Sequence, residues 1–270
     1  MFLVDSLRLI HPTYRGNRTI FRLILLVIAC LFLITRCEIC KSESTKMVHT
    51  VLIISGHVRE PASKADSAGA ASYTGIFEYE FNDAIVKYFE DKSHQVPGIR
   101  YEVIPATRNI GLHERVEYAN KIKPDLYIEI HHDAAKAEDI ERARLAGNDS
   151  PLWKEMSGFS VHYSESNAFP ERSKAFAQIF ADEMLKGEFS PNLYHADVGK
   201  MMCMDRKRGI YNRINPYGLY VLYNTKSPAV VIECGTIINP DEERLLSLEV
   251  TRLKIIRAIN NALVKYLEME

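Results

Sequence analysis

Apolar runs of strand length alternate along this chain with segments whose apolar residues recur at helical spacing. Strands are predicted at residues 48–54, 101–105, 126–130, 159–163, 219–222 and 229–232. Helices are predicted at residues 80–91, 112–121, 171–185 and 241–270. Strands that alternate with helices indicate a layered fold with a largely parallel sheet. We therefore predict a single α/β domain with a mostly parallel, twisted sheet flanked by helices.

The first 46 residues differ from this regular pattern. Four arginines and no acidic residue lie between residues 8 and 22, and an uncharged apolar run follows at residues 23–34. A basic segment before a short apolar stretch is typical of an export signal, and this run is shorter than the roughly 20 residues that cross a bilayer. We predict that residues 1–46 are an export signal or a membrane anchor that uses residues 20–35. Residues 27–30 also resemble a lipoprotein cleavage box, so cleavage, anchoring and lipidation stay open.

Composition narrows the class of function. The 270 residues include 34 basic and 35 acidic side chains, which gives a formal net charge of −1, and 47% are hydrophobic. This composition excludes a disordered or collagen-like chain, and the lack of a basic excess argues against nucleic-acid binding. The five cysteines form no regular framework, so we predict no structural disulfide.

Residues that can bind a metal recur where predicted strands end. His57 follows the first strand, His131 follows the strand at 126–130, and Glu233 closes the apolar run at 229–232. In open α/β sheets the carboxyl ends of the strands form the site, and Glu78, before the next helix, can face the same edge. Two histidines and a glutamate from separate elements suit a catalytic zinc with one position open for water. A fourth carboxylate beside that water would act as general base and then general acid.

Each of these residues also has a simpler interpretation. A histidine after a strand can be a hydrogen-bonded turn residue, and Glu233 can be a structural carboxylate paired with Arg208 or Arg213. Glu80 can take the place of Glu78. Spacing alone leaves the choice between a zinc site and these structural roles open.

Four segments carry a resemblance to a known family, in the same order along the chain. They are VLIISGH at 51–57, EYEFN at 78–82, LHERVEYAN followed by PDLYIEIH within 112–131, and PAVVIECGTIINPDEERLL at 228–246. Together they resemble the zinc-dependent N-acetylmuramoyl-L-alanine amidases, which cleave the peptidoglycan of bacterial cell walls. The last segment is long and specific, and the resemblance covers most of the predicted domain.

The resemblance implies one Zn²⁺ per chain on His57, Glu78 and His131, with Glu233 catalytic. The implied reaction is hydrolysis of the amide between N-acetylmuramic acid and the L-alanine of the stem peptide by zinc-activated water. Residues 47–270 would then be an amidase catalytic domain with a phosphorylase/hydrolase-like fold. The substrate is peptidoglycan, which implies an exported bacterial protein of the periplasm or cell envelope.

The motif also chooses between neighbouring residues. It favours Glu78 over Glu80 because Glu78 lies four residues before Asn82, and it favours His131 over His132 because His131 directly follows the apolar strand.

The chain departs from the family pattern at several points. The loop at 61–73 carries about six extra residues, and residues 136–157 form a charge-rich insertion. Glu129, His132 and Asp133 replace commoner small or amide residues around the second histidine, where they could tune the metal ligands.

The sequence also allows two functions other than that of an amidase. A zinc peptidase or carboxypeptidase would need an arginine for the substrate carboxylate, and the candidates are Arg108, Arg115, Arg208 and Arg213. A non-catalytic wall-binding domain is disfavoured because all four site residues are retained.

Peptidoglycan is the predicted partner, and a possible activator protein is unidentified. No nucleic acid is expected, and membrane contact is expected only through the N-terminal segment.

Overall fold

The computed structural model describes residues 48–198, 201–214 and 218–269 of the chain. The segment that is predicted to be an export signal or anchor lies outside these residues. Within the described ranges, no helix is long and apolar enough to cross a membrane.

The described residues form one seven-stranded sheet in the order β2-β1-β3-β7-β4-β6-β5. The strands are β1 (His49–Ser55), β2 (Ile99–Ile104), β3 (Leu126–Asp133), β4 (Ser160–Tyr163), β5 (Cys203–Asp205), β6 (Ile210–Asn212) and β7 (Ala229–Thr236). β2, β1, β3 and β7 run parallel to one another. β4 is antiparallel to β7 and parallel to β6, and β5 is antiparallel to β6. The predicted mostly parallel α/β sheet is therefore confirmed.

Helices connect the strands and cover the sheet. They are α1 (Glu78–Val86), α2 (Leu112–Ile122), α3 (Ala137–Ala146), α4 (Pro151–Glu155), α5 (Pro170–Lys186), α6 (Tyr194–Asp197), α7 (Tyr220–Asn224), α8 (Pro240–Leu246) and α9 (Glu249–Leu267). Single turns of 3₁₀ helix lie at Lys87–Glu90, Lys92–His94 and Ala106–Arg108.

The central strands are buried on both faces, which explains their continuous apolar sequence. Successive side chains of a strand point to opposite faces, so Val51 and Ile53 of β1 pack on one side, with α1, α5 and α9. Leu52 and Ile54 pack on the other side, against α2 and α7. The two hydrophobic clusters hold the four parallel strands rigidly between helices.

The predicted strand at 219–222 is wrong. The segment lies in α7, one turn of helix whose Val221 and Leu222 are buried against the sheet. A four-residue apolar run does not distinguish a strand from a helical turn. The turn is closed by the side-chain amide of Asn224, which donates to the carbonyl of Tyr220 at 3.0 Å.

Other boundaries differ from the prediction for similar reasons. The predicted helix at 241–270 is divided between α8 and α9 at Ser247 and Leu248. β5 and β6 have three residues each, too few to show an alternating pattern. The insertion at 136–157 contains α3 and α4, and its Trp153 packs in a third cluster with Tyr194 and Ile238.

We expect Leu52→Ala to destabilise the protein by about 2–5 kcal/mol, because truncation of this buried side chain leaves a cavity in the hydrophobic core. Leu52 is 0% exposed, whereas Leu145 of α3 is 79% exposed, so Leu145→Ala is the matched control. The control should change the free energy of unfolding by less than about 0.5 kcal/mol. Denaturant unfolding of both variants tests this, and equal losses would contradict the two-faced core.

Candidate metal centre

Polar residues lie at or just after the carboxyl ends of the parallel strands β1, β3 and β7. The backbone N–H of Gly56 donates to the carbonyl of Ile130 at 2.8 Å, so the pairing of β1 with β3 continues to the residue before His57. On β3 and β7, His131 and Glu233 are directly opposite each other. The residues predicted from separate strand ends therefore lie side by side at the carboxyl edge.

His57, Glu78 and His131 form a compact group. Their ligand atoms all lie within 4.8 Å of one another. The Nε2 atom of His57 is 3.0 Å from Glu78 Oε2, and Nδ1 of His131 is 2.9 Å from Glu78 Oε1. Two imidazoles and one carboxylate are a ligand set of catalytic zinc sites with an open fourth position. The donor set fits a zinc ion.

The position of Glu78 follows from the start of α1. Glu78 is the first residue of the helix, where a negative charge is favoured by the helix dipole, whereas Glu80 is exposed. Backbone N–H groups orient its carboxylate, since both Ala70 and His132 donate to it at 3.2 Å. The helix register thus places Glu78, not Glu80, among the histidines.

The electrostatics of the group favour positive charge. Burial acts to raise the pKa of Glu78, but hydrogen bonds and charges from His131 and His57 prevail and hold the pKa well below its usual value. Burial acts to lower the pKa of His131, but hydrogen bonds to Glu129 and Glu78 prevail and raise the pKa well above its usual value. The carboxylates therefore stabilise a cation at this point, which a proton or a metal ion can supply.

His132 has a different environment from its neighbour. It is 2% exposed, its Nδ1 lies 2.8 Å from Asn82 Oδ1, and its ring packs against Phe81. Burial lowers the pKa of His132 to about 3, so the imidazole is neutral. The register of β3 with β7 shifts between His131 and Asp133, and His132 lies at this irregularity under α1.

Two glycines bring the backbone close to the three side chains. A Cβ at Gly56 would overlap the imidazole ring of His131. At Gly69, whose φ of +84° also disfavours other residues, a Cβ would lie 2.6 Å from Glu78 Oε2 and 2.8 Å from His57 Cδ2. Because glycine has no Cβ, Gly56 and Gly69 leave room for the side chains of His131, Glu78 and His57.

Glu233 lies beside this group and lines the same cleft. Its Oε2 is buried without a hydrogen-bond partner among the described residues. Burial raises the pKa of Glu233 well above its usual value, against the opposing charge of His131. The alternative pairing with Arg208 does not occur, because Arg208 binds Asp182 at 2.7 Å and Asp205 at 2.9 Å.

The group opens into a cleft of about 700 Å³, within the size range of small-ligand sites. His162, Tyr194, His195 and Arg213 also line this cleft. Asp133 orients His195, since both carboxylate oxygens of Asp133 lie 2.8 Å from His195 Nε2.

Some contacts of the site are not visible in sequence motifs. Arg115, a predicted candidate for a substrate carboxylate, is instead 3% exposed and binds Glu129 at 2.7 Å. Ser67 lies in the extended loop at 61–73, and its hydroxyl is 2.9 Å from Nδ1 of His57. The one sequence signal is Glu129 itself, a charge within an apolar strand two residues before His131.

An α/β domain that combines three possible metal ligands with a buried carboxylate oxygen lacking a hydrogen-bond partner among the described residues fits the class of metal-dependent hydrolases. The sequence matches the N-acetylmuramoyl-L-alanine amidase family over residues 51–265, and the chain belongs to this family. The predicted family is thereby confirmed.

Two curated relatives carry the name of this family. The chain is 27% identical over 167 residues to N-acetylmuramoyl-L-alanine amidase AmiA of Salmonella typhimurium, covering 58% of this chain and 57% of the relative. AmiA of Escherichia coli is 26% identical over the same length, with the same coverage. The chain thus spans less than two thirds of the length of these relatives.

Solved structures share the fold. The crystal structure of an N-acetylmuramoyl-L-alanine amidase from Clostridium difficile 630 is 23% identical with a TM-score of 0.61, covering 83% of this chain and 98% of the other. The catalytic domain of CwlV from Bacillus (Paenibacillus) polymyxa is 22% identical with a TM-score of 0.58, covering 83% of this chain and 100% of that domain.

We expect Gly56→Ala to weaken zinc binding by about tenfold or more while the chain stays folded, because the new Cβ displaces the ring of His131. Gly187→Ala is the control, since its Cβ would lie 3.2 Å from the nearest atoms and far from any ligand side chain. Zinc titration and circular dichroism of both variants measure the effect. Unchanged zinc affinity in Gly56→Ala would show that His131 does not bind the metal in this orientation.

Proposed function

We propose that this protein hydrolyses the amide between N-acetylmuramic acid and the L-alanine of the peptidoglycan stem peptide. The observation that carries the proposal is the group of His57, Glu78 and His131 with the unpartnered Oε2 of Glu233 beside it. Membership of the amidase family supports the substrate and the bond. One zinc ion per chain is the proposed cofactor.

His57, Glu78 and His131 would hold the ion, and the cleft would admit the substrate. When bound, zinc polarises the scissile carbonyl and lowers the pKa of water toward about 7. The hydrogen bonds that Glu78 accepts from backbone N–H groups fix the orientation of its carboxylate before the metal arrives. This preorganisation reduces the cost of assembling the site.

Glu233 would move the proton. Its free oxygen accepts a proton from the attacking water and returns that proton to the nitrogen of the departing L-alanine, so that the carboxylate is regenerated. Burial favours this role, because a raised pKa makes the carboxylate of Glu233 a stronger base. The position opposite His131 keeps Glu233 next to the ligands and outside the ligand set.

The peptidase alternative has less support. Two of its candidate arginines are engaged elsewhere, since Arg115 binds Glu129 and Arg208 binds Asp182 and Asp205. Arg213 does line the cleft, but the family match extends over most of the described domain and favours the amidase reaction. A wall-binding role without catalysis does not require the buried carboxylate of Glu233 beside the three candidate ligands.

We further propose that residues 1–46 export the protein or anchor it, so that the domain meets peptidoglycan in the periplasm or cell envelope. The basic residues before the apolar run at 23–34 support this proposal.

We expect Glu233→Gln to keep zinc and to lose turnover by about 10²–10⁴-fold, because the amide side chain cannot accept the proton. The assay incubates the zinc-loaded full-length chain with purified peptidoglycan and identifies products by mass spectrometry. Free stem peptides that begin with L-alanine, absent after chelation, support the amidase reaction. Cleavage inside the stem peptide would contradict the amidase reaction and indicate a peptidase. Near-normal turnover by Glu233→Gln would show that Glu233 does not transfer the proton.

We expect Glu78→Gln to lose both zinc and activity, and Glu80→Gln to retain both. The two residues lie on the same helix, but Glu78 is 5% exposed next to the histidines and Glu80 faces solvent. Metal content after dialysis and turnover of each variant provide the comparison. Retention of zinc by Glu78→Gln would contradict the proposed ligand set.

A further inference from the structure

We infer that Glu129 and Ser67 are positioning residues that select which nitrogen of each imidazole faces the metal, with Glu129 the dominant of the two. His57 would bind through Nε2 and His131 through Nδ1. The inference rests on the proposed metal site and goes beyond it, because it concerns residues that are not ligands.

The two histidines present different nitrogens to Glu78. Nε2 of His57 is 3.0 Å from Glu78, and its Nδ1 is held by Ser67, with the hydroxyl at 2.9 Å and the backbone carbonyl at 3.2 Å. For His131 the arrangement is reversed. Its Nδ1 is 2.9 Å from Glu78 and its Nε2 is 3.1 Å from Oε1 of Glu129. In each ring, therefore, one nitrogen faces the site and the other faces an oxygen that is not part of it.

A hydrogen-bond acceptor at one imidazole nitrogen keeps the proton there and leaves the lone pair of the other nitrogen for the metal. A carboxylate acceptor also increases the basicity of the ligand and fixes the plane of the ring. Glu129 supplies such a carboxylate to His131. Period-two geometry explains its placement, because residues 129 and 131 lie on the same face of β3.

Glu129 is held firmly enough to serve this role. It is 2% exposed, Arg115 donates to its Oε1 at 2.7 Å, and the hydroxyl of Tyr127 donates to its Oε2. Arg115 is in turn fixed by the carbonyls of Gly56 and Ile110, the second at 3.0 Å. The guanidinium compensates the buried charge of Glu129, so the carboxylate remains available to His131.

Ser67 is the weaker partner for two reasons. Its acceptors are neutral, and the residue is exposed. Removal of the hydroxyl still leaves the backbone carbonyl of Ser67 within 3.2 Å of His57. The two imidazoles should therefore respond differently to the loss of their partners.

The test measures zinc affinity of the purified full-length chain by competition with a chromophoric chelator. We expect Glu129→Gln to weaken zinc binding about 10–100-fold, the usual effect of losing such a partner, and Ser67→Ala to change it less than about threefold. Glu183→Gln is the matched control, because Glu183 is a 6% exposed carboxylate that pairs with Lys186 and Lys265 away from the cleft. Thermal unfolding shows that each variant is folded.

A second measurement needs no substitution at Glu129. In the zinc-loaded wild-type chain, long-range ¹H–¹⁵N correlation spectra should show one metal-bound imidazole protonated at Nδ1, for His57, and one protonated at Nε2, for His131. The same protonated nitrogen in both rings would overturn the inference even if Glu129→Gln did not fold.

The outcomes separate this inference from the proposed function. A wild-type chain that binds zinc and releases L-alanine stem peptides, together with unchanged zinc affinity in Glu129→Gln, would overturn the inference alone. A wild-type chain that binds no zinc would overturn it together with the metal site.

Discussion

The buried carboxylate of Glu78 is the feature on which the site depends. A charged side chain that is only 5% exposed is costly unless hydrogen bonds and positive charge compensate it. The imidazoles of His57 and His131 and the backbone N–H groups of Ala70 and His132 provide this compensation. These groups come from the turn after β1, from β3 and from the loop before α1, and the carboxylate belongs to α1. Compensation of one buried charge thus involves four parts of the chain. The result is a place where a cation is stabilised.

The sheet makes this arrangement rigid. β1, β3 and β7 are packed between two hydrophobic clusters, so the ends of these strands have little freedom to move. Catalytic geometry held by packed strands is more accurate than geometry held by loops. Other residues that line the cleft, including Tyr194 and Arg213, come from segments outside the central strands.

The residues around the proposed ligands depart from the pattern that the family resemblance predicts, whereas the proposed ligands match it. The loop at 61–73 brings Ser67 to His57, and Glu129 lies against His131. Both contacts are made to the imidazole nitrogens that face away from Glu78. The inferred positioning of the two rings rests on these contacts, which involve residues that are not proposed ligands.

The sequence by itself determined the fold class and the family, and it predicted the four candidate site residues, because apolar runs and ordered motifs are local patterns that can be read from the linear chain. It separated Glu78 from Glu80 by helix register, and the structure shows the physical basis in their burial. Only the tertiary structure decided that the apolar run near 220 is helical, because four residues fit either geometry until a packing surface is present. It also decided that Arg115 supports Glu129 instead of facing substrate. Contacts between residues distant in the chain depend on packing, which no local pattern encodes.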